Sequence, residues 1–262
     1  MENRKNFRVK GGKHFTRPTS TVNAEDFVFG VQSVMELLKS EKDVDKVLML
    51  KDLDNPEIEQ WARKKQVFIQ RVPLEKLNRI TRKNHQGVLA FVSAVNYARL
   101  SNVVADAYEK GKVPLIVFLD RITDVRNFGA IARTAEACGA DAIVIPSRGS
   151  AQIGSDAMKT SSGALSHIPV CKENDLTMAV GQLQDSGFRV IGCTEKTDTL
   201  YTAHDLSGPM AVVMGSEEDG ISDSLIRKCD YLGKIPMLGK IESLNVSVAT
   251  GILLYEVIRQ RG

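Results

Sequence analysis

Residues 114–145 read PLIVFLDRITDVRNFGAIARTAEACGADAIVI, and this stretch decides the fold class of the chain. The uninterrupted apolar run at 115–119 predicts a buried strand, apolar residues at helical spacing predict a helix over 130–138, and residues 142–145 predict the next strand. Buried strands joined through a helix are typical of a parallel sheet that is covered by helices on both faces. The stretch therefore predicts an α/β domain.

The same alternation continues towards the C-terminus. Residues 176–186 predict a helix, and residues 188–193 and 210–214 predict two further strands. In such sheets, ligands bind where loops leave the carboxyl ends of the strands. Four loops are therefore candidates for a binding site: 120–128, 194–200, 215–222 and 237–244.

A smaller α/β unit is predicted upstream. Strands are indicated at 46–50 and 67–70, and a helix at 57–64. The residues that follow this unit are more polar, carry only a weak helical pattern and are interpreted as a linker. The predicted organisation is a tail (1–26), the small domain (27–95), the linker (96–113) and the larger domain (114–262).

The composition indicates an ordinary soluble protein. Of 262 residues, 43% are hydrophobic and 26% are charged, which is enough to bury at least one full core. No apolar run approaches the ~20 residues that span a bilayer, and the polar N-terminus lacks the apolar core of a signal peptide, so a cytoplasmic location follows by default. The four cysteines show no CxxC spacing, so neither a disulfide framework nor a metal site is expected.

The net charge of +3 is distributed unevenly. Six Lys or Arg residues fall within residues 1–21, against Glu2 as the single acid. The tail has few apolar residues and is predicted to be disordered. Two interpretations stay open: the tail contacts a polyanion, or it is a solvated segment that aids solubility.

The first candidate constellation follows the strand at 115–119. Asn127 and Gly129 are predicted to turn the chain, so that Arg133 lies about one turn into the next helix. An arginine near a helix start opposes the positive end of the helix dipole, and an anion such as a phosphate is then expected nearby. The alternative is a surface arginine that pairs with Glu136.

The second constellation is GSEEDGIS at residues 215–222. Three consecutive acids do not suit phosphate binding, but they suit hydroxyls, amines or a cationic group. Glu217 lies nearest the end of the preceding strand and is the best candidate for a functional role. For Glu218 and Asp219, an ordinary acidic turn before a helix capped by Ser222 is the favoured interpretation.

The third constellation is IPMLGKIESLNVSVATGILLYE at residues 235–256. Ser243, Asn245 and Ser247 interrupt apolar residues ahead of a helical pattern, and the segment is expected to be buried. An unpaired buried hydroxyl or amide costs roughly 1–3 kcal/mol, so the three groups predict local caps, a bound ligand or both. Ser243 is the expected helix cap, which leaves the Asn245 amide for a partner at the loop junction.

Three segments resemble those of a known family: NFGAIARTAEACG (127–139), MGSEEDGIS (214–222) and IPMLGKIESLNVSVATGILLYE (235–256). In order and spacing they resemble motifs one, two and three of the SpoU/TrmH RNA ribose 2′-O-methyltransferases of the SPOUT class. Residues 27–95, with NHQG at 84–87, resemble the small substrate-binding domain of the same enzymes. The resemblance implies an α/β protein whose C-terminal parallel-sheet domain contains a deep trefoil knot, preceded by a small α/β substrate-binding domain.

The resemblance also implies S-adenosyl-L-methionine as methyl donor and an RNA ribose 2′-hydroxyl as acceptor, without a metal. RNA is the implied partner, whereas DNA and membranes are not expected. A homodimer is implied because family members form their active sites across a dimer interface. The implied cofactor-binding residues are Thr194, Gly215, Ile235, Met237 and Leu244. The implied catalytic residues are Arg133, Asn127, Glu217, Ser243 and Asn245.

Arg133 is the implied catalytic arginine, placed at the target ribose and its phosphate. Because a guanidinium stays charged at ordinary pH, Arg133 is interpreted as a clamp that orients the hydroxyl and not as a proton acceptor. Glu217 is expected to anchor Arg133, and Asn245 is expected to brace its loop.

Two classes of function stay open at this point. The first is a methyltransferase acting on an rRNA guanosine, closest to 23S rRNA, since the small N-terminal domain resembles that of rRNA-acting members; a tRNA enzyme or a resistance-type rRNA adenosine methyltransferase is the nearby alternative. The second is a non-catalytic RNA-binding protein of ribosome assembly, which predicts that motif residues are lost, yet they are present. A nicotinamide-dependent oxidoreductase is excluded because no GxGxxG sequence follows a strand.

Deletion of residues 1–21 tests whether the tail contacts RNA. We expect weaker RNA binding and a flatter dependence of affinity on salt, because basic side chains release counterions from the phosphates that they contact. Binding of total RNA at several salt concentrations measures the slope. An unchanged slope would contradict a tail contact.

Overall fold

The structure, a computed structural model, describes residues 26–241 and 243–262. The predicted basic tail lies outside the described residues, apart from Asp26. The described residues form two sheets, and helices pack on each of them. No helix in these ranges is long and apolar enough to cross a membrane.

The first sheet is mixed and has four strands: β1 (Phe27–Phe29), β2 (Val44–Leu50), β3 (Phe68–Val72) and β4 (Val88–Val92). Its helices are α1 (Val31–Lys39), α2 (Pro56–Lys64) and α3 (Leu74–Ile80). The strand order is β1-β4-β2-β3, with β2 and β3 parallel and the other pairs antiparallel. The strands predicted at 46–50 and 67–70 correspond to β2 and β3, and the predicted helix corresponds to α2.

The second sheet has seven strands: β5 (Tyr97–Ala98), β6 (Leu115–Leu119), β7 (Ala142–Pro146), β8 (Val170–Glu173), β9 (Arg189–Cys193), β10 (Met210–Met214) and β11 (Tyr231–Gly233). Its helices are α4 (Leu100–Glu109), α5 (Val125–Ala137), α6 (Ser155–Thr160), α7 (Leu176–Asp185), α8 (Asp223–Ile226) and α9 (Val246–Arg261). The strand order is β11-β9-β10-β6-β7-β8-β5, and every neighbouring pair is parallel. The predicted parallel sheet is confirmed.

Helices cover both faces of the second sheet. Along β6, Leu115, Val117 and Leu119 belong to the core formed with α5 and α9. Ile116 and Phe118 belong to the core formed with α4 and α7 on the opposite face. All five side chains are at most 1% exposed. Burial on both faces explains why this strand is a continuous apolar run in the sequence.

Residues 96–113, interpreted from the sequence as a linker, contain both β5 and α4. Leu100 and Val104 of α4 lie in the core of the second sheet, and Ala107 is also buried. The segment is therefore part of the packing of that sheet, which corrects the interpretation as a linker. A weak helical pattern is compatible with this packing, because only one face of α4 is buried and needs to be apolar.

Helix α5 begins earlier than predicted, at Val125 and not near residue 130. The Asp124 carboxylate caps it by accepting hydrogen bonds of 2.8 and 2.9 Å from two N–H groups of the first turn. Gly129 therefore lies inside the helix and does not form a turn. A Cβ on Gly129 would lie only 2.6 Å from the Cβ of Thr160, so this glycine allows α5 to pack closely on α6.

Asp45 of β2 joins the two sheets. It is only 7% exposed, and its carboxylate accepts hydrogen bonds from the Tyr97 hydroxyl and from the Ile153 N–H (2.9 Å). The Nζ of Lys172 lies 3.6 Å from the same carboxylate. Burial, followed by the charge of Asp45, raises the pKa of Tyr97, so its hydroxyl stays protonated and donates. Loss of a partner would leave this buried carboxylate unsatisfied, so these contacts favour the docked arrangement of the two sheets.

Substitution Gly129→Ala tests the close contact between α5 and α6. We expect the free energy of unfolding to fall by roughly 1–3 kcal/mol, because the added methyl group collides with Thr160 and the backbone of Ser161. Urea denaturation measures the change.

Gly181→Ala is the matched control. Gly181 lies inside α7, and a Cβ there would have nothing within 4 Å. The same substitution should leave stability unchanged or raise it by up to about 1 kcal/mol. Equal losses at both glycines would show that the close contact is not the cause.

Candidate active site

A cavity of about 570 Å³ lies at the carboxyl ends of β9, β10 and β11. The loops after these strands and the start of α9 form its walls, as expected for a parallel sheet. The five predicted cofactor-binding residues all line it: Thr194, Gly215, Ile235, Met237 and Leu244. Three predicted catalytic residues line it as well: Glu217, Ser243 and Asn245.

The loop after β10 is a tight turn. Ser216 and Gly220 exchange backbone hydrogen bonds of 3.1 and 3.0 Å across it. A Cβ on Gly215 would lie 2.0 Å from the carbonyl carbon of Gly220, so a side chain does not fit at this position. The turn presents its three acids along one side of the cavity.

Asp120 and Arg121, which the sequence did not single out, hold this turn. The Asp120 carboxylate, 5% exposed, accepts hydrogen bonds from the Ser222 N–H (2.7 Å) and from Arg121 Nε (3.1 Å). Arg121 also donates to the Asp219 carboxylate (3.0 Å) and to the Gly220 carbonyl (3.0 Å). The hydrogen bond to Asp120 raises the pKa of Arg121. Their position directly after β6 was the signal that could have identified them.

Asn127, Glu217 and Asn245 form one hydrogen-bonded cluster. Glu217 Oε1 accepts from Asn127 Nδ2 (2.7 Å) and from Asn245 Nδ2 (3.0 Å). Asn245 Nδ2 also donates to Asn127 Oδ1 (2.9 Å). The cluster joins the start of α5, the loop after β10 and the start of α9. The expected pair between Glu217 and Arg133 does not form within the chain, since Glu217 accepts from the two amides and the Arg133 guanidinium contacts the Ser162 hydroxyl.

The cap of α9 is Asn245. Its Oδ1 accepts hydrogen bonds from the N–H (3.0 Å) and the hydroxyl (2.5 Å) of Ser247. The expected Ser243 cap is wrong, because the helix begins at Val246 and a cap directly precedes the first helical residue. Ser222 does occupy the position directly before α8, as expected, but its side chain makes no capping hydrogen bond.

Residues 243–245 are exposed, which corrects the expectation that this segment is buried. Leu238 is 99% and Leu244 is 37% exposed, because the chain here forms the rim of an open cavity. Burial begins only at Val246, which is 7% exposed. The polar groups of the rim are therefore available to a ligand.

Arg133 does not line this cavity. It is the ninth residue of the 13-residue helix α5, it is exposed, and its Nη1 lies 3.4 Å from the Ser162 hydroxyl. The expectation of a position one turn into the helix is wrong, because α5 begins at Val125. The field of the helix dipole falls off within the first turn, so it has little effect on Arg133.

The cavity carries more negative than positive charge. Its charged residues are Glu195, Glu217, Glu218, Asp219 and Lys234. Such a lining favours a cationic or hydroxyl-bearing ligand over a phosphate. Burial, and to a smaller extent Glu195, raises the pKa of Cys193 to about 12, so this thiol stays protonated and is not a nucleophile. In residues 26–241 and 243–262, no group of three His, Cys, Asp or Glu side chains could hold a metal ion.

A parallel sheet with a loop-built cavity at its carboxyl ends is the arrangement of α/β proteins that bind a small ligand. Residues 114–255 match the SpoU rRNA methylase family, and residues 27–98 match the substrate-binding domain of RNA 2′-O ribose methyltransferases. The chain belongs to the SpoU/TrmH family of RNA 2′-O-ribose methyltransferases and is an enzyme of that class.

Individual relatives agree with this membership. Over 239 residues the chain is 38% identical to a Bacillus subtilis protein assigned to the TrmH family of tRNA/rRNA methyltransferases, covering 90% of this chain and 96% of that protein. An AdoMet-bound rRNA methyltransferase from Sinorhizobium meliloti is 26% identical with a TM-score of 0.56, covering 89% of this chain and 87% of that one. A TrmH/SpoU tRNA-modifying enzyme from A. aeolicus is 28% identical with a TM-score of 0.53, covering 61% of this chain and 84% of that one.

Substitution Asn245→Ala tests the cap and the cluster together. We expect a loss of roughly 1–2 kcal/mol in the free energy of unfolding, because α9 loses its cap and Glu217 loses one donor. Ser243→Ala is the control and should change stability by less than about 0.5 kcal/mol. A double-mutant cycle with Asn127→Ala should give a coupling of at least roughly 0.5 kcal/mol in urea denaturation, and strict additivity would contradict the cluster.

Proposed function

We propose that the protein transfers a methyl group from S-adenosyl-L-methionine to a ribose 2′-hydroxyl of RNA. The observation that carries this proposal is the convergence of three separate motifs on one acidic cavity through Asn127, Glu217 and Asn245. The methyl donor bears a positive sulfonium, an ammonium and ribose hydroxyls, and an acidic lining attracts all of these groups.

The cavity fits this cofactor in size and in chemistry. Its volume of about 570 Å³ lies within the roughly 300–1,000 Å³ that is typical of small-molecule sites. Gly215, Ile235 and Leu244 would hold the adenosine through backbone groups, with Thr194 and Met237 lining the same space. The similar rRNA methyltransferase from Sinorhizobium meliloti was solved with AdoMet bound.

The bound cofactor supplies an electrophilic methyl group, and the side chains of the chain position its acceptor. Arg133 would hold the phosphate of the target nucleotide, orient the 2′-hydroxyl and stabilise the charge that develops there. Asn127, Glu217 and Asn245 are positioning residues, because their hydrogen bonds hold the loops together. Ser243 lies on the rim, where its hydroxyl can contact the ligands.

A homodimer with active sites completed across the interface is part of the proposal, and the position of Arg133 supports it. This arginine is exposed and lies outside the cavity of its own chain, so it would serve the site of the partner copy. On the adjoining surface of α9, Val248 and Tyr255 are 51% and 59% exposed, and they line a shallow depression with Thr134 of α5. Exposed apolar patches of this kind mark protein interfaces.

The deep trefoil knot is also part of the proposal. After β11, at the edge of the sheet, the chain returns to its middle, where α9 packs on α5 and contacts β10. Near the end of α9, Arg261 donates to the carbonyls of Val113 (2.8 Å) and Gly208 (2.8 Å). This return path supports a threaded C-terminal segment. The proposed setting of the reaction is the cytoplasm.

The proposed substrate is a guanosine of 23S rRNA. The rRNA methyltransferase from Sinorhizobium meliloti aligns with 89% of this chain, including the first sheet, whereas the tRNA-modifying enzyme from A. aeolicus aligns with 61%. This difference favours rRNA over tRNA. A tRNA or a resistance-type adenosine of rRNA is the alternative acceptor, and a non-catalytic role in ribosome assembly is disfavoured by the assembled cluster.

Incubation with radiolabelled S-adenosyl-L-methionine and total RNA from a strain lacking the protein tests the function. We expect label on one nucleotide of the 23S rRNA, and mapping of the modified ribose identifies it. Label on tRNA would show that tRNA, and not 23S rRNA, is the substrate. Absence of label from every RNA would favour the non-catalytic alternative.

Substitution Arg133→Ala tests the role of the arginine. We expect methyl transfer to fall at least roughly 100-fold, because the acceptor loses its positioning cation, while cofactor affinity stays nearly unchanged. Isothermal titration calorimetry measures the affinity. Arg227→Ala, at an exposed arginine after α8, is the control and should retain full transfer. Loss of cofactor binding in Arg133→Ala would show that the assigned role is wrong.

A further inference from the structure

A second cavity, the interdomain cleft, lies between the two sheets and has a volume of about 250 Å³. Lys46, Phe68 and Gln70 of β2 and β3 form one wall. Arg148 and Gln152, in the loop after β7, form the opposite wall. Because each sheet supplies one wall, the cleft exists only while the two are docked.

The interdomain cleft is positively charged. Lys46, Arg148 and Lys172 line it, and the acid among its lining residues, Asp45, is 7% exposed and already hydrogen-bonded. Across residues 26–241 and 243–262, neither Lys46 nor Arg148 takes part in a salt bridge. Two cations are therefore available to an anionic ligand.

Arg148 and Phe68 form a cation–π pair across the cleft. The guanidinium carbon of Arg148 lies 4.4 Å from the centroid of the Phe68 ring, and the Arg148 side chain is exposed. The guanidinium thus lies over the ring, and its exposed part is accessible to a ligand. Nucleobases of single-stranded RNA stack on arginine planes and aromatic rings in this manner.

Gln70 and Gln152 bring two side-chain amides to the cleft, one from each wall. Neither amide is hydrogen-bonded to another residue of the described chain. Each offers donors and an acceptor, which is the set of groups that recognises the edge of a base.

The cleft adjoins a cavity that borders the candidate active site. A middle cavity of about 300 Å³ is lined by Asn127 and Glu217 of the hydrogen-bonded cluster and also by Gly149. Gly149 lines the interdomain cleft as well. The series of cavities therefore runs from the acidic candidate active site to the basic interdomain cleft. The acidic end suits a cationic cofactor, and the basic end suits the phosphates of an RNA strand.

We propose that the interdomain cleft is a subsite for one unpaired nucleotide that flanks the methylated one in the same RNA strand. Its base stacks on Arg148, its edge is read by Gln70 and Gln152, and its phosphate contacts Lys46. A volume of about 250 Å³ is below that of sites for drug-sized ligands and suits a single nucleotide. This assignment rests on the proposed function, since the ligand is the RNA that is methylated.

The junction at Asp45 pre-forms this subsite. Lys172 Nζ donates to the Asp45 carbonyl oxygen (3.0 Å), while the Asp45 carboxylate binds the backbone N–H of Ile153, next to Gln152. The two walls are thus held at a set distance before RNA arrives, which lowers the entropic cost of binding. Arg148 and Gln70 are not part of this junction, so their substitution leaves it intact.

Kinetics of the full-length protein with total RNA from a strain lacking it test the subsite. Arg148→Gln and Gln70→Ala should each raise the apparent KM for RNA about tenfold, with kcat and the KM for S-adenosyl-L-methionine unchanged. Arg148→Lys keeps the charge but loses the plane, so it should restore only part of the affinity. Equal melting temperatures verify that the variants fold.

Arg227→Gln is the matched control, since it removes one exposed arginine that lines none of these three cavities. It should leave the KM for RNA unchanged. An unchanged KM for RNA in Arg148→Gln, or an equal rise in Arg227→Gln, would overturn the subsite.

Photocrosslinking to total RNA that contains 4-thiouridine supplies a readout that does not require methyl transfer. We expect cross-linked peptides from residues 68–70 and 147–152, and fewer of them in Arg148→Gln. Cross-links confined to other segments would overturn the subsite. If peptides of the cleft cross-link but no RNA is labelled in the methyl-transfer assay, the cleft binds RNA and the proposed function is refuted instead.

Discussion

Glu217 Oε1 accepts hydrogen bonds from the amides of Asn127 (2.7 Å) and Asn245 (3.0 Å), and the geometry of the site depends on this shared oxygen. The two asparagines are 118 residues apart in the sequence, and they lie at the starts of the helices α5 and α9. A single carboxylate thus sets the distance between two helix N-termini and the loop after β10. The cofactor cavity lies directly beside this point.

Close backbone contacts and two side chains further fix the turn after β10. Gly215 lies against the backbone of Gly220, and Asp120 and Arg121 tie the far side of the same turn to the end of β6. The turn can therefore present three acids without folding onto the sheet. Away from the cofactor cavity, contacts of Asp45 with Ile153 and Lys172 join the two walls of the basic interdomain cleft. Neighbouring cavities thus provide one region suited to a cation and another suited to a polyanion.

The sequence predicted those elements whose physical signal is local. The strands at 115–119 and 210–214 have the predicted limits because both of their faces are buried, and the resulting apolar runs are unambiguous. The rule that loops at the carboxyl ends form sites also held, since Thr194, Gly215 and Leu244 line one cavity. The short strands β5, β8 and β11 were missed because they have only two to four residues and contain polar or half-buried positions.

By itself, the sequence determined the parallel α/β class, the loops that form the site and the family, because periodicity, strand ends and motifs are properties of neighbouring residues. Only the tertiary structure decided which side chains are partners. Glu217 binds two amides and not Arg133, Asn245 caps α9 in place of Ser243, and Arg133 lies outside the cavity of its own chain. These outcomes depend on distances between residues far apart along the chain, and the same is true of the interdomain cleft, whose walls meet only when both sheets have formed and docked.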